Sequence, residues 1–178
     1  RDVAMKEASF DLQNIKAIIG LGNPGPRFIK TRHNIGFIFV EKLAEEYNGS
    51  WREHKNLLHA EIMMPELKKL LLIKPTSFMN NSGDVMPFIT KKGIKINEVL
   101  VIHDELEKPF EKILFKFGGS AKGHNGLRSI IQHAGTDFWR LRFGIGRPEQ
   151  KEMVGDYVLT SFLPIEQEKI DTILQQII

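Results

Sequence analysis

The chain has 178 residues, 42% hydrophobic and 26% charged, with a formal net charge of +3, the proportions of a single globular domain large enough to bury its own core. It contains no cysteine, which excludes disulfides, thiolate metal sites and a cysteine nucleophile together and fits a reducing compartment. No apolar run approaches the roughly 20 residues that cross a bilayer, so no membrane attachment is expected.

Residues 1–14 mix Asp2, Glu7 and Asp11 with Arg1 and Lys6, unlike a basic transit peptide or a secretory signal. With no Met at position 1, they read as an N-terminal extension or an expression remnant, and residues 15–178 as the domain proper. An apolar run from Ile15 to Leu21 then stops at Gly22-Asn23-Pro24-Gly25, and His33 and Asn34 follow at the start of a helical pattern running to Tyr47. This is a strand, a tight loop and a helix start, the kind of junction at which open α/β sheets place ligands. Asn48-Gly49 should end that helix, with Gly in the left-handed conformation. Leu57 to Met63 and Lys69 to Ile73 read as two paired strands around Pro65 and Glu66.

Lys74-Pro75 opens a second loop, Thr76 to Gly83, and a helix is expected from Asn81 or Ser82 to about Lys92, with Pro87 either kinking it or lying in its first turn. Glu98 to Ile102 is a buried-type strand ending at once in His103-Asp104-Glu105. Lys112 to Phe117 alternates and should have one wet face. The glycine-rich loop 118–126 leads to a helix from Leu127 to His133, a strand from Arg140 to Ile145 with Arg140 and Arg142 on one face, and an amphipathic helix from Pro164 to Ile178. Strands alternating with helices, and one antiparallel hairpin, define a single-domain α/β fold. Its central β-sheet should be mixed and flanked by helices on both faces.

Four loops at strand ends carry polar residues that a core does not need: Asn23 with His33, Asn80, Asp104, and Asn125. A carboxylate beside an imidazole fixes its tautomer and stabilises its protonated form, so Asp104 with His33 can make a general base without a nucleophilic Ser or Cys. Asparagine amides both donate and accept, which suits a peptide-like substrate and a developing oxyanion. Each Asn taken singly is explained as well by turn chemistry. Residues 108–151 hold nine Lys/Arg against three Asp/Glu. Interleaved with aromatics, they form either a phosphate-binding surface or a solvated face. The glycine loop lacks the spacing of a nucleotide-binding motif. Adjacent strand residues point to opposite faces, so His103, Asp104 and Glu105 make a poor metal cluster.

In order, GLGNPG, TRHNIGF, KPTSFMNNSG, VIHDEL, GHNGLRSI and RLRFGIGRP closely resemble the motifs of the bacterial-type peptidyl-tRNA hydrolase family, over about Ile15 to Leu163. The resemblance implies an esterase that cuts the bond between a stalled peptide and the 3′ ribose of its tRNA, recycling the tRNA. It implies His33 as the base that activates water, Asp104 as its orienting carboxylate, and Asn23 as an aid to substrate, water and oxyanion. Phe28, Met79, Asn80 and Asn125 fall at substrate-binding positions, and Lys116 and Arg142 at positions that grip tRNA phosphate. Peptidyl-tRNA is then the partner. No metal, no cofactor and no obligate protein partner is implied, and a cytoplasmic monomer is expected.

Some positions depart from the family pattern. Phe28 stands where many members carry Tyr, and Glu107 replaces a frequent Asp. Ser120-Ala121-Lys122 replaces a stretch richer in glycine and histidine. The sequence stops at Ile178 where members generally continue, so a shorter lid over the peptide groove is expected. The alternative is a relative of the same fold that binds RNA without hydrolysis. Such a protein has no use for a water-activating pair and its amides.

Overall fold

The computed structural model describes residues 4, 5 and 10–177. Among these, eight strands form one mixed sheet: β1 (Ala4–Met5), β2 (Ala17–Gly20), β3 (Arg52–His54), β4 (Leu57–Met64), β5 (Lys68–Pro75), β6 (Val99–Glu105), β7 (Ile113–Phe117) and β8 (Trp139–Gly144). Their spatial order is β1-β7-β8-β6-β2-β5-β4-β3. The centre, β5-β2-β6-β8, is parallel. Antiparallel pairing joins β4 to β5, β3 to β4 and β7 to β8. Five helices complete the fold: α1 (Ile35–Glu46), α2 (Met86–Lys91), α3 (Asn125–Ala134), α4 (Val154–Val158) and α5 (Pro164–Ile177).

The period-2 alternation of the central strands divides their apolar side chains between two cores. Ile18, Leu70, Leu72, Leu100 and Ile102 pack with Val40 of α1 and Ile170 and Leu174 of α5. Ala17, Ile19, Leu71, Ile73, Val99 and Val101 pack with Ile89 of α2 and Leu127 and Ile130 of α3. Helices therefore cover both faces, as the alternation of predicted elements requires.

Several local expectations are corrected. His103, Asp104 and Glu105 continue β6 rather than ending it, because β8 pairs with all three. Asn48, not Gly49, takes the left-handed conformation after α1, with φ of 59°, which asparagine tolerates through local hydrogen bonding. Gly49 serves a different need, since a Cβ there would lie 2.8 Å from Ile62 Cγ2. Residues 79–85 form a 3₁₀ stretch before α2, and Pro87 lies in the first turn of that helix. The expected wet face of β7 is only half-exposed. On the neighbouring strand Arg140 and Arg142 are buried. Strands β1 and β3 and helix α4 were not anticipated. Ala4–Met5, within the stretch read as an extension, pairs parallel with Ile113 and Leu114.

Candidate active site

The carboxyl ends of β2, β5 and β6 lie side by side, and two glycines let the following helix close on them. A Cβ on Gly20 would lie 2.1 Å from the Gly36 oxygen, and one on Gly36 2.2 Å from the Leu21 nitrogen and 2.4 Å from the Ile102 oxygen. Only hydrogen at both positions permits this approach, which brings the 3₁₀ turn Arg32–Asn34 against the end of β6. Asn34, 1% exposed, then pins the first loop. Its Oδ1 accepts from the Asn23 backbone N–H at 2.8 Å, and its Nδ2 donates to the Asn23 carbonyl at 3.0 Å. Asn23 in turn accepts at Oδ1 from the Met79 N–H at 2.8 Å. Its oxygen is thus committed to joining the loops after β2 and β5, and its Nδ2 hydrogens are the uncommitted donors.

Asp104 is the hub. Its carboxylate receives His33 Nδ1 at 2.9 and 3.1 Å and His124 Nε2 at 2.7 Å. His124 caps α3, its Nδ1 accepting from the Gly126 and Leu127 N–H groups at 3.1 and 3.3 Å. That network puts the His124 proton on Nε2, where it is donated to Asp104. The carboxylate likewise holds the His33 proton on Nδ1, leaving His33 Nε2 with a lone pair. Burial alone would lower the His33 pKa, but the charge and hydrogen bond of Asp104 outweigh it and raise it. Burial pushes the Asp104 pKa up, and the two histidines more than reverse this, holding it well below the usual carboxylate range. Asp104 therefore stays ionised while His33 gains and loses a proton.

His33, Asp104 and His124 place one potential metal-ligand atom each within 4.8 Å of one another. This is not the trio at 103–105. Glu105 Oε1 turns to Arg142 Nε at 2.8 Å, and His103 Nδ1 donates to the Asp104 carbonyl at 2.8 Å. The two imidazoles already give the carboxylate N–H donors, so the donor set fits a proton-handling triad.

A cleft of about 220 Å³ opens on this hub, bordered by His33, Asp104, His124, Asn125, Lys122 and, across from them, Val154 of α4. Asn125 is exposed at the start of α3 and accepts at Oδ1 from Arg128 at 2.8 Å. Its loop comes from Phe117, beside Trp139 at the other end of the sheet. It reaches the site only by running back along the α3 face, and so is not a loop at the same strand edge. Met79 is buried, its sulfur resting where a Cβ on Gly126 would come within 2.6 Å. Asn80 next to it is exposed. Phe28 meets exposed Phe78 edge-on, ring centroids 6.2 Å apart.

The basic block is largely internal. Arg142 is buried in its ion pair with Glu105. Arg140 donates to the Ser120 and Gly119 carbonyls at 2.8 and 2.5 Å, fastening the glycine loop. Burial and then Arg142 lower its pKa to about 10. Lys116 is half-exposed beside them, bordering the same small recess. Three residues of the site escaped sequence reasoning. Asn34 and His124 stand inside quoted motifs, one at a helix start and one in the glycine-rich loop, with no role assigned to either. Arg32 binds Thr160, Ser161 and Glu166, anchoring the α4–α5 connection beside His33. Nothing in the spacing revealed that long-range role.

Fold and site together define an α/β protein of the hydrolase class, with a carboxylate-held histidine opening on a cleft at the ends of the central strands. A family model described as peptidyl-tRNA hydrolase matches residues 17–178. Peptidyl-tRNA hydrolase of Exiguobacterium sibiricum is 42% identical over 162 residues, covering 90% of this chain and 88% of the relative. That of Rickettsia canadensis is 45% identical over 154 residues, covering 85% and 83%. The crystal structure of peptidyl-tRNA hydrolase from Acinetobacter baumannii superposes with a TM-score of 0.86 at 39% identity, over 94% of this chain and 86% of that one. The chain belongs to the peptidyl-tRNA hydrolase family.

Proposed function

We propose that the protein hydrolyses the ester joining a peptide, or an N-blocked aminoacyl group, to the 3′ ribose of tRNA, with His33 as general base. The observation that carries this reading is the single free ring nitrogen of His33, set by Asp104 at 2.9 Å. Water gives its proton to His33 Nε2 as its oxygen bonds to the carbonyl carbon. We assign stabilisation of the oxyanion that forms to an amide donor, with the uncommitted Asn23 Nδ2 as the candidate. As the intermediate collapses, the ribose oxygen leaves with the proton from the imidazolium. The products are a free peptide carboxylate and tRNA with its hydroxyl restored.

A positioned base supplies on the order of 10² to 10⁴ in rate and an oxyanion donor on the order of 10² to 10³. Those factors suffice for an activated ester without a covalent intermediate. Asn80 and Asn125, both exposed, the latter lining the cleft, are suited to hold the peptide backbone, with Met79 and Phe28 as apolar contacts. Lys116 and Lys122 offer cations toward a tRNA phosphate. Arg142 acts there mainly by holding Glu105, since its charge is already matched. A cytoplasmic monomer is part of this reading; no helix among the described residues is long and apolar enough to cross a membrane. The test is release of free tRNA from N-blocked aminoacyl-tRNA, with His33→Ala alongside. Turnover lost in the variant while tRNA binding persists is expected, and equal turnover by the two proteins would refute the assignment.

A further inference from the structure

On the far edge of the sheet from the glycine loop, the β3–β4 hairpin and the end of α2 enclose a recess of roughly 500 Å³ bordered by Asn48, Ser50, Arg52, His59, Glu61 and Lys92. None of these residues takes part in the Asp104 hub. Arg52 and His59 are cross-strand neighbours. The His59 ring packs on Phe88 at 4.9 Å, and Phe88 also carries the His54 ring at 4.9 Å and the Lys92 ammonium at 4.9 Å. Neither Arg52 nor Lys92 has an ion-pair partner among the described residues. Desolvation and then Lys92, His54 and Arg52 lower the His59 pKa, and only Glu61 opposes them.

Uncompensated cations gathered around flat rings are a setting for a phosphate attached to something planar. Glu61 would repel a bare anion, but it can accept from a hydroxyl. With the Asn48 amide and the Ser50 hydroxyl it matches the donors and acceptors of a ribose, whose 2′-OH both gives and takes a hydrogen bond. We propose that this recess binds a ribonucleotide unit: Arg52 and Lys92 hold its phosphate, Asn48, Ser50 and Glu61 its ribose, and His59, braced by Phe88, lies against its base. The recess lies four to five strands from Lys116 and Arg142, on the order of 20–25 Å at about 4.8 Å per strand. It is therefore separate from the cations assigned to tRNA phosphate, and its chemistry does not depend on the hydrolytic step.

The unit can belong to an RNA strand or be a free nucleotide. The experiment follows the His59 imidazole by NMR while adenosine 5′-monophosphate or inorganic phosphate is added. It also measures the salt dependence of tRNA binding, using wild type and the double variant Arg52→Ala/Lys92→Ala. Both side chains are exposed, and unchanged circular dichroism and unchanged kcat on N-blocked aminoacyl-tRNA check that fold and centre are intact. The expected result is a His59 response to the nucleotide, absent in the double variant and much weaker with phosphate. The log–log salt slope for tRNA should fall by about 0.7 or more, which assigns the site to an RNA strand. The same His59 response with an unchanged tRNA slope assigns it to a free nucleotide. A response that phosphate reproduces in full, or no response to the nucleotide whatever the slope does, overturns the proposal. His33→Ala should retain the His59 response, which separates this site from the hydrolytic reading.

Discussion

His33 and His59 carry the same imidazole in opposite electrostatic settings. Both are penalised by burial, and His33 is far more enclosed, yet its pKa is raised while that of half-exposed His59 is lowered. The difference is the neighbouring charge. Asp104, ionised and without competing cations, outweighs the burial of His33, whereas Lys92, His54 and Arg52 add to the desolvation of His59. His103 shows the limit with burial dominant: fully enclosed, beside His124, it is pushed down to about 3. Burial alone thus does not decide which histidine handles protons. A carboxylate in line with one ring nitrogen does.

The contrast breaks most sharply at His33. His33→Ala is expected to lower kcat by about 10² to 10⁴, measured as tRNA release, with tRNA affinity retained. Asp104→Asn should cost on the order of 10² or more in turnover, because the base loses its orienting acceptor. It also predicts a direction in pH. The free base is the active form, so wild-type activity should rise through a midpoint above the ordinary imidazole value of 6.5. Without the aspartate charge, desolvation is left unopposed and the midpoint should move below 6.5. A midpoint that stays put in the asparagine variant would mean that Asp104 does not set the His33 titration.

Smaller effects sharpen the comparison. Gly36→Ala forces a methyl group against backbone of β2 and β6 and is expected to destabilise the fold by roughly 3 kcal/mol in urea unfolding. Its residual folded protein should lose activity, because the same displacement separates His33 from Asp104. Lys116→Ala should lower the salt slope of tRNA binding by about 0.9 for a duplex phosphate while leaving kcat nearly intact. At the other histidine, Lys92→Ala should raise the His59 pKa and Glu61→Gln should lower it further, read by NMR titration. The two changes run in opposite directions because their charges do.

Helix α5, strand β6 and the β4–β5 hairpin were legible in the sequence because each is a local pattern: a 3.6-residue period after Pro164, a continuous apolar run, two short apolar runs separated by Pro65 and Glu66. Asn23, His33 and Asp104 could be named because they stand in loops or at a strand end where a core has no use for them. Other features depend on separations along the chain that no local pattern encodes. Arg140 reads in the sequence as one cation of a basic block, whereas its guanidinium holds the carbonyls of Ser120 and Gly119, some twenty residues upstream. Arg142 likewise reads as exposed charge until Glu105 meets it across the β6–β8 pairing.

The sequence by itself determined the α/β alternation, the polar residues at the strand ends and, through its ordered motifs, the family. Composition and period are local properties that survive without coordinates. Only the tertiary structure decided that Asp104 serves two histidines, that Asn34 locks Asn23, and that most of the basic block is internal. It also decided that a second cationic recess forms between β3, β4 and α2. The first two are set by the approach of Gly20 to Gly36 and the others by strand register, where contact distances of a few ångströms determine which charge neighbours which.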